Sequence, residues 1–259
     1  MTSSQLLTNE HIAANFEMQL SGYYSGVTTG PDGCFYYYSD EIPSLSWNHS
    51  VLADPSVASH SEFVLKQANL MDRQATFFVR EDDLERVMSA LGDRASVARE
   101  RWMICSKETL LADSTENSLD VVFSHDPVPP QDYCQVLTSL FDDEALNDRF
   151  RDFYVPTLRR SKLRSGTTVC HAVGYFAGEP VACGSFYRKN GFAGLYSVGT
   201  VASKQKRGFG QQISVALTQA ALSSGADDIF LQCVIGTHVE RLYASIGYVS
   251  AEMPGLISI

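Results

Sequence analysis

The sequence predicts an α/β protein built on a mixed α+β sheet and divided into two halves. Three observations point there. From residue 167 onward the chain reads as three strands, a glycine-containing loop, a helix, a strand, a helix and a strand. Residues 75–105 repeat the strand, helix, strand order of that region's end. A chain of 259 residues with 44% hydrophobic side chains can bury one large core or two smaller ones. Because the C-terminal unit already has ordinary domain size, we place a smaller N-terminal domain at 1–118 and a C-terminal domain at 119–259.

In the first half, Ala75-Thr76-Phe77-Phe78-Val79 reads as a strand, Asp82 to Leu91 as a helix stopped by Gly92, and Glu100 to Cys105 as a strand. In the second, Asp120 to Ser124 reads as the first strand, with Tyr133 to Phe141 and Glu144 to Arg160 as the helices after it. Thr167 to Phe176, Pro180 to Tyr187 and Phe192 to Thr200 form an antiparallel meander, joined at Ala177-Gly178-Glu179 and at Arg188-Lys189-Asn190-Gly191. The second connection holds an Asn-Gly pair, a hairpin signal. From Gln211, Ile213, Val215, Leu217 and Leu222 recur close to helical spacing until Gly225 ends the run. Ile229 to Val234 is a short apolar strand, the next helix carries Val239, Leu242, Tyr243 and Ile246 on one face, and Tyr248 starts another strand.

The stretch Tyr196 to Gly210 (YSVGTVASKQKRGFG) carries the chemistry. Gly208 and Gly210 let the main chain turn without a Cβ, so successive N–H groups can share one concavity where the next helix presents its unpaired donors. Lys204, Lys206 and Arg207 add positive charge. A pyrophosphate suits such a cradle. Neither a P-loop nor a Rossmann glycine pattern occurs in the chain.

With these elements in place the sequence resembles the GCN5-related N-acetyltransferase (GNAT) superfamily. Gln205-Lys206-Arg207-Gly208-Phe209-Gly210 is similar to that family's Q/R-x-x-G-x-G/A pyrophosphate loop. Gly199-Thr200 ends the preceding strand, and Leu242-Tyr243-Ala244-Ser245-Ile246-Gly247-Tyr248 is similar to the family's L-Y-x-x-x-G-F segment. The likeness covers about residues 119–259. It implies a C-terminal GNAT acyl-CoA N-acyltransferase fold preceded by a degenerate GNAT-like copy, as in tandem members; an unrelated α+β domain is the alternative for the first half. It also implies acetyl-CoA, or another acyl-CoA, in a splayed notch between the strand ending at Thr200 and the strand Ile229 to Val234. The main chain of Val198, Gly199, Thr200 and Val201 would line the pantetheine arm. Gln205, Lys206, Arg207, Gly208, Phe209, Gly210 and Gln211 would hold the pyrophosphate. Tyr243 matches the tyrosine that many members place beside the CoA sulfur, as acid or thiolate partner. The asparagine often found seven residues before that tyrosine is Gly236 here, and the last aromatic is Tyr248 rather than Phe.

Many members use a strand carboxylate as base, but Gly191 to Val201 contains none. Candidates are Ser197 and Tyr196, Gln232 and Cys233, and His171, with His238, a carboxylate such as Asp40 or Glu41, or bulk water as further routes. The resemblance implies an acetyl-CoA-dependent N-acetyltransferase acting by direct transfer on a small-molecule or amino-acid-like amine. A catalytically silent acyl-CoA sensor and a protein or peptide N-acetyltransferase are the alternatives.

Residues 1–118 hold eight Lys and Arg against seventeen Asp and Glu, so the net charge of −10 resides almost wholly in the first half. Such a field disfavours nucleic acid and anionic membrane. The six cysteines show no C-x-x-C spacing, the histidines form no zinc-like cluster, and no run reaches membrane-span length. We therefore expect no metal, a cytoplasmic monomer or homodimer, and reduced cysteines. The run Arg159-Arg160-Ser161-Lys162-Leu163-Arg164 is either a solvated helix end or a contact for the cofactor's ribose phosphate.

Overall fold

The computed structural model describes residues 7–51, 57–111 and 118–259. The chain opens with α1 (Asn9–Gln19), started by a reciprocal cap: the Thr8 hydroxyl accepts from His11 N–H, and His11 Nδ1 accepts from Thr8 N–H at 3.2 Å. An antiparallel meander follows, of β1 (Gly26–Thr29), β2 (Phe35–Tyr38) and β3 (His49–Val51). Then come α2 (Val57–Leu70), β4 (Thr76–Val79), α3 (Leu84–Leu91) and the long β5 (Ser96–Ser106).

The second half repeats this order. β6 (Asp120–Ser124) leads to α4 (Gln131–Leu137), α5 (Glu144–Arg149) and α6 (Val155–Arg159). The meander of β7 (Thr168–Phe176), β8 (Glu179–Lys189) and β9 (Phe192–Thr200) precedes α7 (Phe209–Ser223), β10 (Asp228–Val234), α8 (His238–Ile246), β11 (Val249–Glu252) and β12 (Gly255–Ser258). In both halves an antiparallel meander leads through a helix to a strand parallel to the meander's last member: β4 against β3, and β10 against β9. The sequence predicts one helix over Glu144 to Arg160. Instead a π turn at Phe150–Tyr154 separates α5 from α6. Pro156, which lacks an N–H and crowds the preceding turn, accounts for the break.

The strands form one sheet in the order β1-β2-β3-β4-β12-β5-β10-β9-β8-β7-β6, with β11 also pairing with β5. β5 is the junction. Its first residues, Ser96 to Arg99, pair with β12, and Glu100 to Ser106 pair with β10. β12 lies between β4 and β5, so the last strand of the chain completes the sheet begun by the first half. Alternation along β5 divides the core. Trp102 and Ile104 join α1, α4 and α6 on one face, while Met103 and Cys105 join α7 and α8 on the other. A third cluster, with Phe77, Val87 and Ile257, packs under α2 and α3. All six cysteines are free and buried.

Ile257 is fully buried, with Phe77 and Val97 opposite it on the two neighbouring strands. Ile257→Ala should therefore cost about 2–5 kcal/mol, read from the shift of a urea unfolding curve. A cost under about 1 kcal/mol would mean that β12 is dispensable to the joined sheet.

Candidate functional site

β9 and β10 pair in parallel for only three registers, Phe192 with Asp228, Ala193 with Ile229 and Gly194 with Phe230. Beyond them, β9 continues to Thr200 and β10 to Val234 without bonding to each other. Two features hold them apart. β10 stays bonded to β5 along its whole length. β9 departs through a bulge against β8 between Tyr196 and Gly199, where Ser197 adopts a left-handed φ of 51°. A bulge bends its strand and re-aims its backbone, and a serine at positive φ persists only where its surroundings enforce it. The surroundings here include a 2.7 Å bond between the Ser197 and Tyr23 hydroxyls.

One cavity beside the notch, of about 810 Å³, is lined by Val198, Gly199, Thr200, Gln205, Lys206 and the first turns of α7 and α8. Its floor is closely packed: a Cβ on Gly199 would lie 2.4 Å from Leu140 Cδ2. Gln205 fixes the loop by donating from Nε2 to the carbonyls of Leu140 (2.9 Å) and Thr200 (3.3 Å). Lys206 (φ 61°) and Gly208 (φ 82°) are both left-handed, and no side chain caps the N-terminus of α7 at Gly208. Alternating left-handed residues before an uncapped helix make a concave array of N–H donors, which suits a pyrophosphate. Phe209, Gly210, Gln211 and Tyr243 also line this cavity. Tyr243 is buried; desolvation raises its phenol pKa, partly offset by the adjacent Ser214 hydroxyl, so the phenol remains a proton donor at neutral pH.

Two expected cofactor residues stand outside this lining. Val201 donates its N–H to Val181 O at 2.9 Å, which leaves that group committed to β8. Arg207 stacks its guanidinium over Phe176 (4.6 Å) and Phe209 (5.0 Å). Lys204, the third cation of the loop, pairs with Glu179 at 3.0 Å. Gly236 turns the chain at φ 74° and donates its N–H to Glu240.

A second cavity, of about 280 Å³, is lined by Tyr196, Ser197 and Gln232 from the notch strands, by α1 and by the β3–β5 region. Ser197 thus lines one cavity and its neighbour Val198 the other. Asn15 Oδ1 accepts from the Tyr196 hydroxyl (2.6 Å) and from Gln232 Nε2 (3.3 Å). The walls are aromatic: Tyr23 stacks on Trp47 at 4.5 Å, and Trp47 Nε1 donates to the Tyr154 hydroxyl at 3.0 Å. Into this chamber β5 sends Ala98, Glu100 and Trp102, alternate residues on one strand face. Burial holds the Glu100 carboxyl above the usual glutamate range. Its charge, added to burial, helps to raise the phenol pKa values of Tyr24 and Tyr154.

β9 carries no carboxylate and Asp228 at the start of β10 pairs with His11, so the carboxylate that lines this chamber, Glu100, arrives from the first half of the chain. The other candidates for that role are placed differently. His171 is buried, bonded to Ser185 Oγ at 2.6 Å, and desolvation lowers its pKa to about 4. Cys233 faces Met103 Sδ at 3.8 Å, and burial pushes its thiol up to about 11. Glu41 pairs with Arg160 at 2.6 Å, and neither it nor Asp40 lines either cavity. His238 lines the larger cavity. None of the run Arg159 to Arg164 lines it.

Comparison with solved structures identifies the fold. A GCN5-related N-acetyltransferase from Kribbella flavida superposes with a TM-score of 0.66 at 18% identity, covering 94% of this chain and 93% of that one. A tandem GNAT protein from the clavulanic acid biosynthesis pathway gives 0.65 at 12% identity, over 95% and 87%. The chain has the GNAT fold. A protein of unknown function from Staphylococcus epidermidis is also similar, with a TM-score of 0.61 at 14% identity over 92% and 94%. No family model matches the sequence, and no curated protein matches it. The likeness to the tandem protein agrees with the order of elements repeated in the two halves, and both cavities of this chain border the splayed strand pair. Among the described residues no helix is long and apolar enough to cross a membrane, and no group of His, Cys, Asp and Glu could hold a metal ion.

Gly208→Val places a β-branched residue at φ 82° beneath the donor array. It should weaken acetyl-CoA binding in a calorimetric titration by at least about tenfold, with a stability cost of roughly 1–2 kcal/mol. Unchanged affinity would show that the loop holds no cofactor phosphate.

Proposed function

We propose that the protein is an acyl-CoA-dependent N-acyltransferase, with acetyl as the default acyl group, that transfers it directly to the amine of a small molecule. One observation carries the reading: a cleft that includes the glycine loop and the uncapped start of α7, and a chamber with a partly buried carboxylate, lie next to each other at the splayed strand pair. When bound, acyl-CoA supplies a thioester carbonyl for the amine to attack and a thiolate that leaves.

The chain's own groups divide the remaining work. The loop Gln205 to Gln211 and the main chain of Val198 to Thr200 hold the cofactor, through backbone donors more than side chains. Glu100 draws the amine into the chamber as an ammonium and takes a proton from it, since only a neutral amine is nucleophilic. Ser197 and Gln232 position the acceptor from the notch side. N–H groups of β9 that face the notch stabilise the oxyanion. Tyr243 keeps its proton at neutral pH and donates to the departing thiolate.

The carboxylate supports turnover rather than a silent sensor. The chamber volume, near the low end for small-molecule sites, supports a small acceptor over a protein substrate.

Glu100→Gln should lower kcat/KM by roughly 100-fold at pH 7 in a thiol-release assay with acetyl-CoA. In the parent protein turnover should fall as pH drops through the raised pKa of Glu100, and the variant should lose that limb. The deficit should narrow at high pH, where amines shed their protons unaided. Stability should move the other way, because a carboxyl whose folded pKa is raised costs stability once pH exceeds it. The variant should therefore fold at least as well as the parent at pH 8, and full activity in a folded variant would remove Glu100 from the mechanism. Tyr243→Phe should reduce kcat about tenfold with acetyl-CoA affinity unchanged; equal kcat would leave Tyr243 as a packing residue.

A further inference from the structure

We infer that the acceptor is a primary amine on an apolar, ring-sized body that carries no acidic group, so that the site excludes free amino acids. This rests on the acyltransferase reading and names the substrate class of that same site.

The inventory of charge in the chamber supports it. Glu100 is the one carboxylate among the lining residues, and no Lys or Arg of the described residues lines the cavity. His49 contributes no charge. Its Nδ1 donates to Leu45 O at 3.1 Å, its Nε2 lies 3.4 Å from the Tyr24 hydroxyl, and burial lowers its pKa to about 4. The remaining polar lining is neutral, and much of it is already engaged. Asn15 Oδ1 takes both the Tyr196 hydroxyl and Gln232 Nε2, while the Ser197 hydroxyl meets that of Tyr23.

An ammonium entering this space finds a carboxylate partner and aromatic faces, both of which favour a cation. The carboxylate of an α-amino acid would travel with that ammonium and come to lie within several ångströms of Glu100. Among the described residues no Lys or Arg lines the chamber to receive it. Two like charges about 5 Å apart in surroundings of intermediate polarity cost a factor on the order of 100 in affinity. The walls set the rest of the class: Tyr23, Tyr24, Trp47, Trp102 and Tyr154 offer flat apolar area, and about 280 Å³ admits one ring or a short chain.

The test uses matched compounds: phenethylamine and tyramine, phenylalanine and tyrosine, and phenylalanine methyl ester, whose carboxylate is masked. Each is assayed for thiol release with acetyl-CoA, and separately for binding to the full-length protein by calorimetry. The amines should exceed their amino acids at least 30-fold in kcat/KM and in affinity. The ester should recover most of that difference, and Glu100→Gln should shrink the preference in binding. Amino acids equal to or better than the amines, or an ester no better than the free acid, would overturn the inference while leaving acyl transfer intact. Amines that bind with the expected preference but release no thiol would uphold the ligand class and sink the acyltransferase reading. Absence of binding by every amine would overturn the inference, whatever acetyl-CoA itself does.

Discussion

The separation of β9 from β10 is the constraint on which the rest depends. Two parallel strands that stayed paired would seal the sheet and leave no passage between its faces. Here pairing stops after Gly194 and Phe230, because β10 is committed to β5 and β9 is turned away by the bulge at Ser197. The freed edges leave backbone groups that a ligand can use, as an added strand would. The left-handed serine is strained backbone placed where the two cavities meet, with the Tyr23 hydroxyl bonded to it.

β5 turns that local opening into a two-part site. It is long enough to pair with β12 at one end and β10 at the other, and Glu100 is the first residue past the change of partner. Strand alternation then presents Ala98, Glu100 and Trp102 to the chamber and sends Arg101 the other way, where it pairs with Glu240 of α8 at 3.0 Å. The first half of the chain thus supplies much of the aromatic wall and the acidic group, and the second supplies the larger cavity and the notch. The acidity of the first half acquires a local meaning at this one residue: a buried carboxyl in an aromatic space, with no Lys or Arg among the described lining residues, is costly to ionise and is suited to receiving a cation.

Much of the second half was legible in the sequence because its signals are local. The meander, the helix after Gly210 and the strand from Ile229 follow from period-2 and period-3.6 patterns and from hairpin residues, and the observed elements agree within a few residues. Part of the loop geometry was legible too, since a glycine at 208 before a helical run can take the left-handed turn found there. Other elements escaped for physical reasons. β12 is four residues long and wholly buried, so it shows no alternation. The helix expected over Glu144 to Arg160 keeps helical backbone but passes through a π turn at Phe150–Tyr154, ahead of Pro156, which the apolar spacing conceals. The linear reading could not show that the Arg207 guanidinium stacks on Phe176 and Phe209 or that the Val201 N–H bonds to β8.

By itself the sequence determined the class of fold, the order of elements in the second half and the glycine loop before a helix, because each element is encoded in local residue patterns. The tertiary structure alone decided that β12 and β5 knit the halves into one sheet, that the notch opens where it does, and that Glu100 faces the chamber. Those outcomes depend on pairings between residues more than a hundred positions apart, such as Glu100 with Val234 and Leu256 with Phe78. A strand's own pattern says which residues share a face, but not which partner it finds or what that face will meet.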